Sequence, residues 1–148
     1  MLQITAKFYV MNTHFVSSTH KGGMAFTANI NEHLLVTDTV TADGGNNEGP
    51  GPKRLMLASL AGCTGIDIVS ILNKMKVVFS DLSIDTEGTL SEEHPKVYSH
   101  VKITFKIKMA ETDRAKMEKA VHLSEDKYCG VMAMFKKFAE TETEIVYL

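Results

Sequence analysis

Between Leu55 and Leu72 the chain runs almost without interruption through apolar and small residues. That stretch constrains the fold more than any other feature. Its length approaches that of a membrane-spanning helix. It also carries Asp67 and Cys63, the hydroxyls of Ser59, Thr64 and Ser70, and no second apolar segment accompanies it. An ionisable group inside a span is costly, so the segment reads as the core helix of a soluble domain. Asp43-Gly44-Gly45-Asn46-Asn47-Glu48-Gly49-Pro50-Gly51-Pro52 precedes it. Four glycines and two prolines in ten residues make a loop over 43–51, a plain connector or a ligand contact. Pro52 suits a first helical turn, where its missing N–H has no partner to lose. Lys74 and Lys76 suit the negative end. The expected helix covers 52–75.

Period-two patterning surrounds this helix. Ile4, Ala6, Phe8 and Val10 share one strand face, and Phe26, Ala28 and Ile30 share another. Turn signals fall at Asn12-Thr13-His14, Lys21-Gly22-Gly23 and Asn31-Glu32-His33, which predicts an antiparallel meander over about 2–38. Val77–Gly88 and Pro95–Met109 alternate as strands, the second through Val97, Val101, Ile103, Phe105 and Ile107, with a polar tip at 90–94. Thr112 and Ser124 are the expected caps of two helices, and Thr141–Tyr147 closes as a strand. Strands and helices are partly segregated, so the class is α+β with antiparallel sheets, and 148 residues make one domain, 1–148.

Projected at 100° per residue, Ser59, Asp67 and Ser70 lie on the face of Cys63, with Met56 and Leu60 beside them. Leu57, Ala58, Ala61, Gly65, Ile68, Val69 and Leu72 lie opposite. A polar stripe on so apolar a helix marks either a site or a partner helix; a bystander thiol is the competing reading, since free cysteine is usually buried. Cys129 is expected near a helix N-terminus with Lys136 close by, both of which favour thiolate. Val131, Met134, Phe135 and Phe138 form the expected core stripe there, and Met24, Met56, Met132 and Met134 are candidates to line an apolar pocket. The two cysteines are far apart in sequence, which indicates a reducing compartment. The first residues carry no charged region followed by an apolar one, so the expected location is cytoplasmic. A net charge of −2 without a basic run argues against nucleic acid. Histidine spacing gives no metal site, and no phosphate-binding loop or nucleophile elbow occurs.

The segment Gly49-Pro50-Gly51-Pro52-Lys53-Arg54-Leu55-Met56-Leu57-Ala58-Ser59-Leu60-Ala61-Gly62-Cys63 resembles the approach to the first active-site cysteine in the OsmC/Ohr superfamily. That superfamily comprises osmotically inducible protein C and the organic hydroperoxide resistance proteins. Tyr128-Cys129-Gly130-Val131 is similar to the setting of the second cysteine, and the wording around both looks most like a poorly characterised OsmC-like branch. The resemblance implies antiparallel sheets around a long central helix, in an intertwined homodimer with two sites at the subunit interface. It implies reduction of small apolar hydroperoxides by Cys63, resolution by Cys129, and a cellular dithiol as reductant, with no cofactor, metal, nucleic acid or membrane. The hydroperoxide reductases place Glu after the helix-opening proline and supply an Arg from the N-terminal strands. This chain has Lys53 and Arg54 after Pro52, and no earlier Arg. Lys21, Lys53 and Arg54 are the candidate replacements beside the thiolate, with Asp67 and Ser59 as polar neighbours. Asp67 is either the anchor of that cation or a helix-surface residue. The second functional reading is a catalytically weak dimer that binds a small apolar ligand or senses redox state.

Overall fold

The computed structural model describes residues 13–148. The expected strand face at Ile4, Ala6, Phe8 and Val10 lies outside them. The chain forms two compact units, one ending at Pro52 and the other running Lys53–Leu148.

In the first unit, β1 (Ser17–Gly22), β2 (Ala25–Ile30) and β3 (His33–Thr37) make an antiparallel meander in the order β1-β2-β3. Asn31 and Glu32 join β2 to β3 with φ of 48° and 69°. Paired positive φ values of this kind match the right-handed twist of a two-residue hairpin. Phe26 and Ile30, on the expected face of β2, are exposed among the described residues. The glycine-rich segment is a loop as expected, and Asp38, a residue the sequence reading passed over, shapes it. Its buried carboxylate accepts N–H bonds from Thr39, Asn46 and Glu48 at 2.8, 2.9 and 3.1 Å. These bonds hold its pKa below the usual carboxylate value, that from Glu48 most of all. A Cβ on Gly45 or Gly49 would sit 2.1 Å from the carbonyl oxygen of Thr39 or Val36. Only glycine allows the loop to lie so close to the backbone.

In the second unit, α1 (Pro52–Lys74) packs against a three-stranded sheet ordered β4-β5-β6, built from β4 (Phe79–Leu90), β5 (Tyr98–Met109) and β6 (Glu140–Tyr147). β5 is central. Val101, Ile103, Phe105 and Ile107 are fully buried at alternate positions and meet Leu60, Ile68, Ile71 and Leu72 of α1 in one core. Each such side chain contributes about 1.5–3 kcal/mol of burial. Lys102 and Lys106, on the other face of β5, reach Glu144 at 2.8 Å and Asp85 at 2.5 Å.

The structure corrects several expectations. β4 and β5 are antiparallel, but β6 pairs with β5 in parallel, Val101 opposite Thr141 and Ile107 opposite Tyr147. The helical crossover between β5 and β6 brings the chain back in the same direction, which a hairpin cannot do. Val97 precedes β5 and is 47% exposed. Thr112 is not a cap: it lies inside a 3-10 turn, Glu111–Asp113, that leads into α2 (Arg114–Leu123). Ser124 is not a helix N-cap either; it stands at the C-terminal end of α2. Ser124–Tyr128 is a π-helical turn continuing α2, and Cys129 caps α3 (Gly130–Phe135).

The long helix matches its expected span, but it is only partly a core helix. Across its most apolar eighteen residues the mean hydropathy is 1.9, long and apolar enough to cross a membrane by length and composition, and 28% of that window is buried. Leu60, Thr64, Ile68, Ile71 and Leu72 face the core. Ala58, Gly62, Ile66 and Val69, one face of the same helix, are exposed. Thr64, which the projection set apart from the polar stripe, satisfies its buried hydroxyl by donating to the Leu60 carbonyl at 2.9 Å.

Candidate active site

Helical periodicity sets Cys63 and Asp67 one turn apart on α1. The π-helical turn after α2 then carries the chain back so that Cys129 meets them. The two Sγ atoms and an Asp67 carboxylate oxygen all lie within 4.8 Å of one another. Cys63 and Asp67 are half-buried, whereas Cys129 is 3% exposed. Both thiols are free. Ser124 Oγ, itself buried, donates to Asp67 Oδ2 at 2.9 Å, so the π turn delivers a hydroxyl to the carboxylate as well as a thiol to its partner. Single π turns are frequent at functional sites. No sequence signal distinguished this turn from the ordinary helix start that Ser124-Glu125-Asp126 suggested.

The Cys129 thiol is pushed up from the usual 9.0 to about 11. Burial is the largest cause, the neighbouring Cys63 side chain adds to it, and the Met132 N–H, which donates to Cys129 Sγ at 3.2 Å, opposes it. The sequence-based expectation that a helix start and Lys136 would favour thiolate at Cys129 is therefore wrong. Desolvation outweighs the backbone N–H groups of Met132 and Val131, and the Lys136 ammonium is taken by Asp126 Oδ1 at 3.2 Å and the Glu125 carbonyl at 3.4 Å.

This shift has a measurable consequence. Alkylation of Cys129 in the folded chain is expected to rise only as pH approaches 11, and Cys63, the more exposed sulfur, is modified first. Quantifying both adducts by mass spectrometry from pH 7 upward tests this; equal modification of both at neutral pH contradicts it. The sign for stability follows. A thiol with a raised folded-state pKa stabilises the fold fully below its unfolded value, and this contribution is lost as pH climbs from about 9 through 11.

The remaining candidates fall elsewhere. Ser59 is exposed on α1, one turn before Cys63. Lys53 and Arg54 are exposed in the first turn of α1, and the Lys53 carbonyl accepts from the Tyr98 hydroxyl at 3.1 Å. Ten residues of helix separate Lys53 from Cys63, a rise of about 15 Å. Lys21 is bound to Glu48 at 2.5 Å within the first unit. Met132 is core, while Met24, Met56 and Met134 are exposed, as is much of Phe138. Phe135 does join the core; Val131 is half-buried and Met134 points away. A cleft of about 440 Å³ opens along Asp67, Ser70, Ile71 and Lys74 to Tyr128, the residue before Cys129.

Protein YhfA of Escherichia coli K12 is 31% identical over 105 residues, 71% of this chain and 75% of that protein. A hypothetical protein of Aquifex aeolicus, known from its crystal structure, superposes with a TM-score of 0.81 at 26% identity, covering 93% of this chain and 98% of that one. The organic hydroperoxide resistance protein OhrB of Bacillus subtilis shares the fold at a TM-score of 0.62 and 19% identity, over 90% of this chain and 97% of its own. The profile of the OsmC-like protein family matches residues 44–144, a range that includes all but the first residue of the loop, α1 and both cysteines. The chain belongs to the OsmC-like protein family.

Proposed function

We propose that this chain is a thiol peroxidase that reduces organic hydroperoxides, with Cys63 as the peroxidatic residue and Cys129 as the resolving one. The observation that carries this reading is the pairing of one accessible and one buried, proton-retaining sulfur within 4.8 Å. Cys63 thiolate attacks the distal peroxide oxygen, the O–O bond breaks, and alcohol leaves with a proton; Cys63 becomes a sulfenic acid. The Cys129 sulfur then attacks the sulfenic sulfur, water departs, and a disulfide forms, at the cost of the Cys129 proton. The short separation lets side-chain adjustment reach the about 2.05 Å of a disulfide. A cellular dithiol restores both thiols. The apolar walls of the cleft beside Asp67 suit a hydroperoxide with a hydrocarbon body, and the expected setting is a reducing cytoplasm.

The Asp67 carboxylate stands beside Cys63, and a cation close to this pair would complete the site. In this reading the cation comes from Lys53 or Arg54 of a second copy. The exposed face of α1 at Ala58, Gly62, Ile66 and Val69 supports such a homodimer, because small residues let two helices approach closely and an apolar face so large needs covering. Sedimentation equilibrium at micromolar concentration is expected to give twice the chain mass; a monomer at all concentrations excludes the dimer.

Turnover of cumene hydroperoxide by the reduced protein with a dithiol reductant tests the activity. Sustained, catalytic loss of peroxide is the expected result. Peroxide consumption no faster than that of the dithiol alone would leave only a binding or sensing role.

A further inference from the structure

We infer that the reduced site binds a zinc ion, which no feature of the peroxide reaction requires. Cys63 Sγ, Cys129 Sγ and an Asp67 oxygen lie within 4.8 Å of one another. Two Zn–S bonds of about 2.3 Å at a tetrahedral centre set the sulfurs roughly 3.8 Å apart. The two sulfurs, no more than 4.8 Å apart, are thus gathered closely enough for one ion to reach both with small side-chain adjustment. Cys63 and Asp67, at i and i+4 on one helix, are the spacing by which a single helix presents two ligands to one metal. Thiolate pairs select zinc over magnesium or calcium.

The surroundings are those of a metal site in two further respects. Ser124 Oγ donates to one oxygen of Asp67 and orients the carboxylate. The Met132 N–H donates to Cys129 Sγ and offsets charge on that sulfur. Partners of this kind hold ligands in position and tune them. Three protein ligands leave a fourth position on the half-buried side, where Cys63 and Asp67 meet solvent, for water. Binding is balanced by proton release: a zinc ion, two thiols, one carboxylate and a water give a bis-thiolate complex and two protons. Because both thiols must give up their protons to the metal, affinity climbs with pH.

The metal would also gate the proposed chemistry, and this consequence alone rests on the peroxidase reading. Bound zinc engages both sulfurs. Oxidation by one hydroperoxide takes two electrons from the two thiolates, forms the disulfide and, with two protons, yields alcohol, water and free zinc.

Cobalt(II) serves as the probe, titrated anaerobically into the fully reduced chain with no peroxide present. One cobalt per chain is expected, with a thiolate-to-cobalt charge-transfer band and the strong visible bands of a tetrahedral centre, displaced by stoichiometric zinc. Two protons should be released per zinc bound. Cys63→Ser and Cys129→Ser should each weaken binding at least about a hundredfold, and Ser124→Ala about tenfold, the range seen for residues that support metal ligands. The disulfide form should bind none. Absence of the charge-transfer band in the reduced wild-type chain at stoichiometric cobalt overturns the inference, whether or not the variants fold. So does binding that survives replacement of both cysteines, which would point to surface groups such as His122 with Asp126. Because peroxide is absent, failure here leaves the peroxidase reading intact, and an inactive peroxidase that binds cobalt leaves this inference intact.

Discussion

Replacing Cys63 by serine is expected to lower organic hydroperoxide turnover by at least about a thousandfold, the scale of losses when a nucleophile is removed. The change subtracts one sulfur and adds an oxygen of similar size at a half-buried position. The core beneath, made by Leu60, Thr64 and Ile68 on the neighbouring face of α1, is untouched. Cys129 cannot substitute: it is 3% exposed and its thiol holds its proton to about pH 11. At neutral pH it presents almost no thiolate, and the thiolate is the nucleophile. Thermal unfolding of the variant should stay close to that of the parent while peroxide loss falls to background. Substantial residual turnover would assign the attack to another group.

Cys129→Ser should act differently. The first equivalent of hydroperoxide is still reduced, because Cys63 is intact, but the sulfenic acid then lacks its resolving partner. A second thiol held against a reactive centre is worth effective concentrations of about 10⁵ M or more in well-oriented cases, far above any dissolved dithiol. Steady-state turnover is therefore expected to fall by at least about a hundredfold after a burst of one alcohol per chain. The sulfenic acid should accumulate and be trapped by a 1,3-diketone at Cys63. A burst-free loss equal to that of Cys63→Ser would mean that Cys129 has an earlier role, and unchanged steady-state turnover would mean that it has none.

Much of this was legible from residue order. The Gly-Pro loop, a helix opening at Pro52 and the alternation through Val101, Ile103, Phe105 and Ile107 rest on local rules, and each was found as expected. The cysteine pair came from the resemblance, since no local rule joins two residues so far apart in sequence. The misses share one cause. A parallel β6, a π turn at Ser124 and a Cys129 cap are all decided by the crossover after β5, through long-range packing that strand and cap propensities do not encode. Ser124-Glu125-Asp126 satisfies every local criterion for a helix start, yet its hydroxyl is drawn to Asp67 across the fold. The Cys129 pKa was misjudged for the same reason, because burial is a property of the assembled core. Asp38 was invisible as a loop anchor because its three N–H donors come from residues up to ten positions away.

The central claim is that one hydroperoxide converts these two thiols into a bridge within one chain. Treating the reduced protein with a single equivalent of cumene hydroperoxide, alkylating what remains free and mapping an unreduced digest by mass spectrometry measures that directly. A Cys63 peptide joined to the Cys129 peptide of the same chain, with chain origin read from a mixture of isotope-labelled and unlabelled protein, is the predicted product. Recovery of both cysteines alkylated, or of a bridge only between different chains, would contradict it.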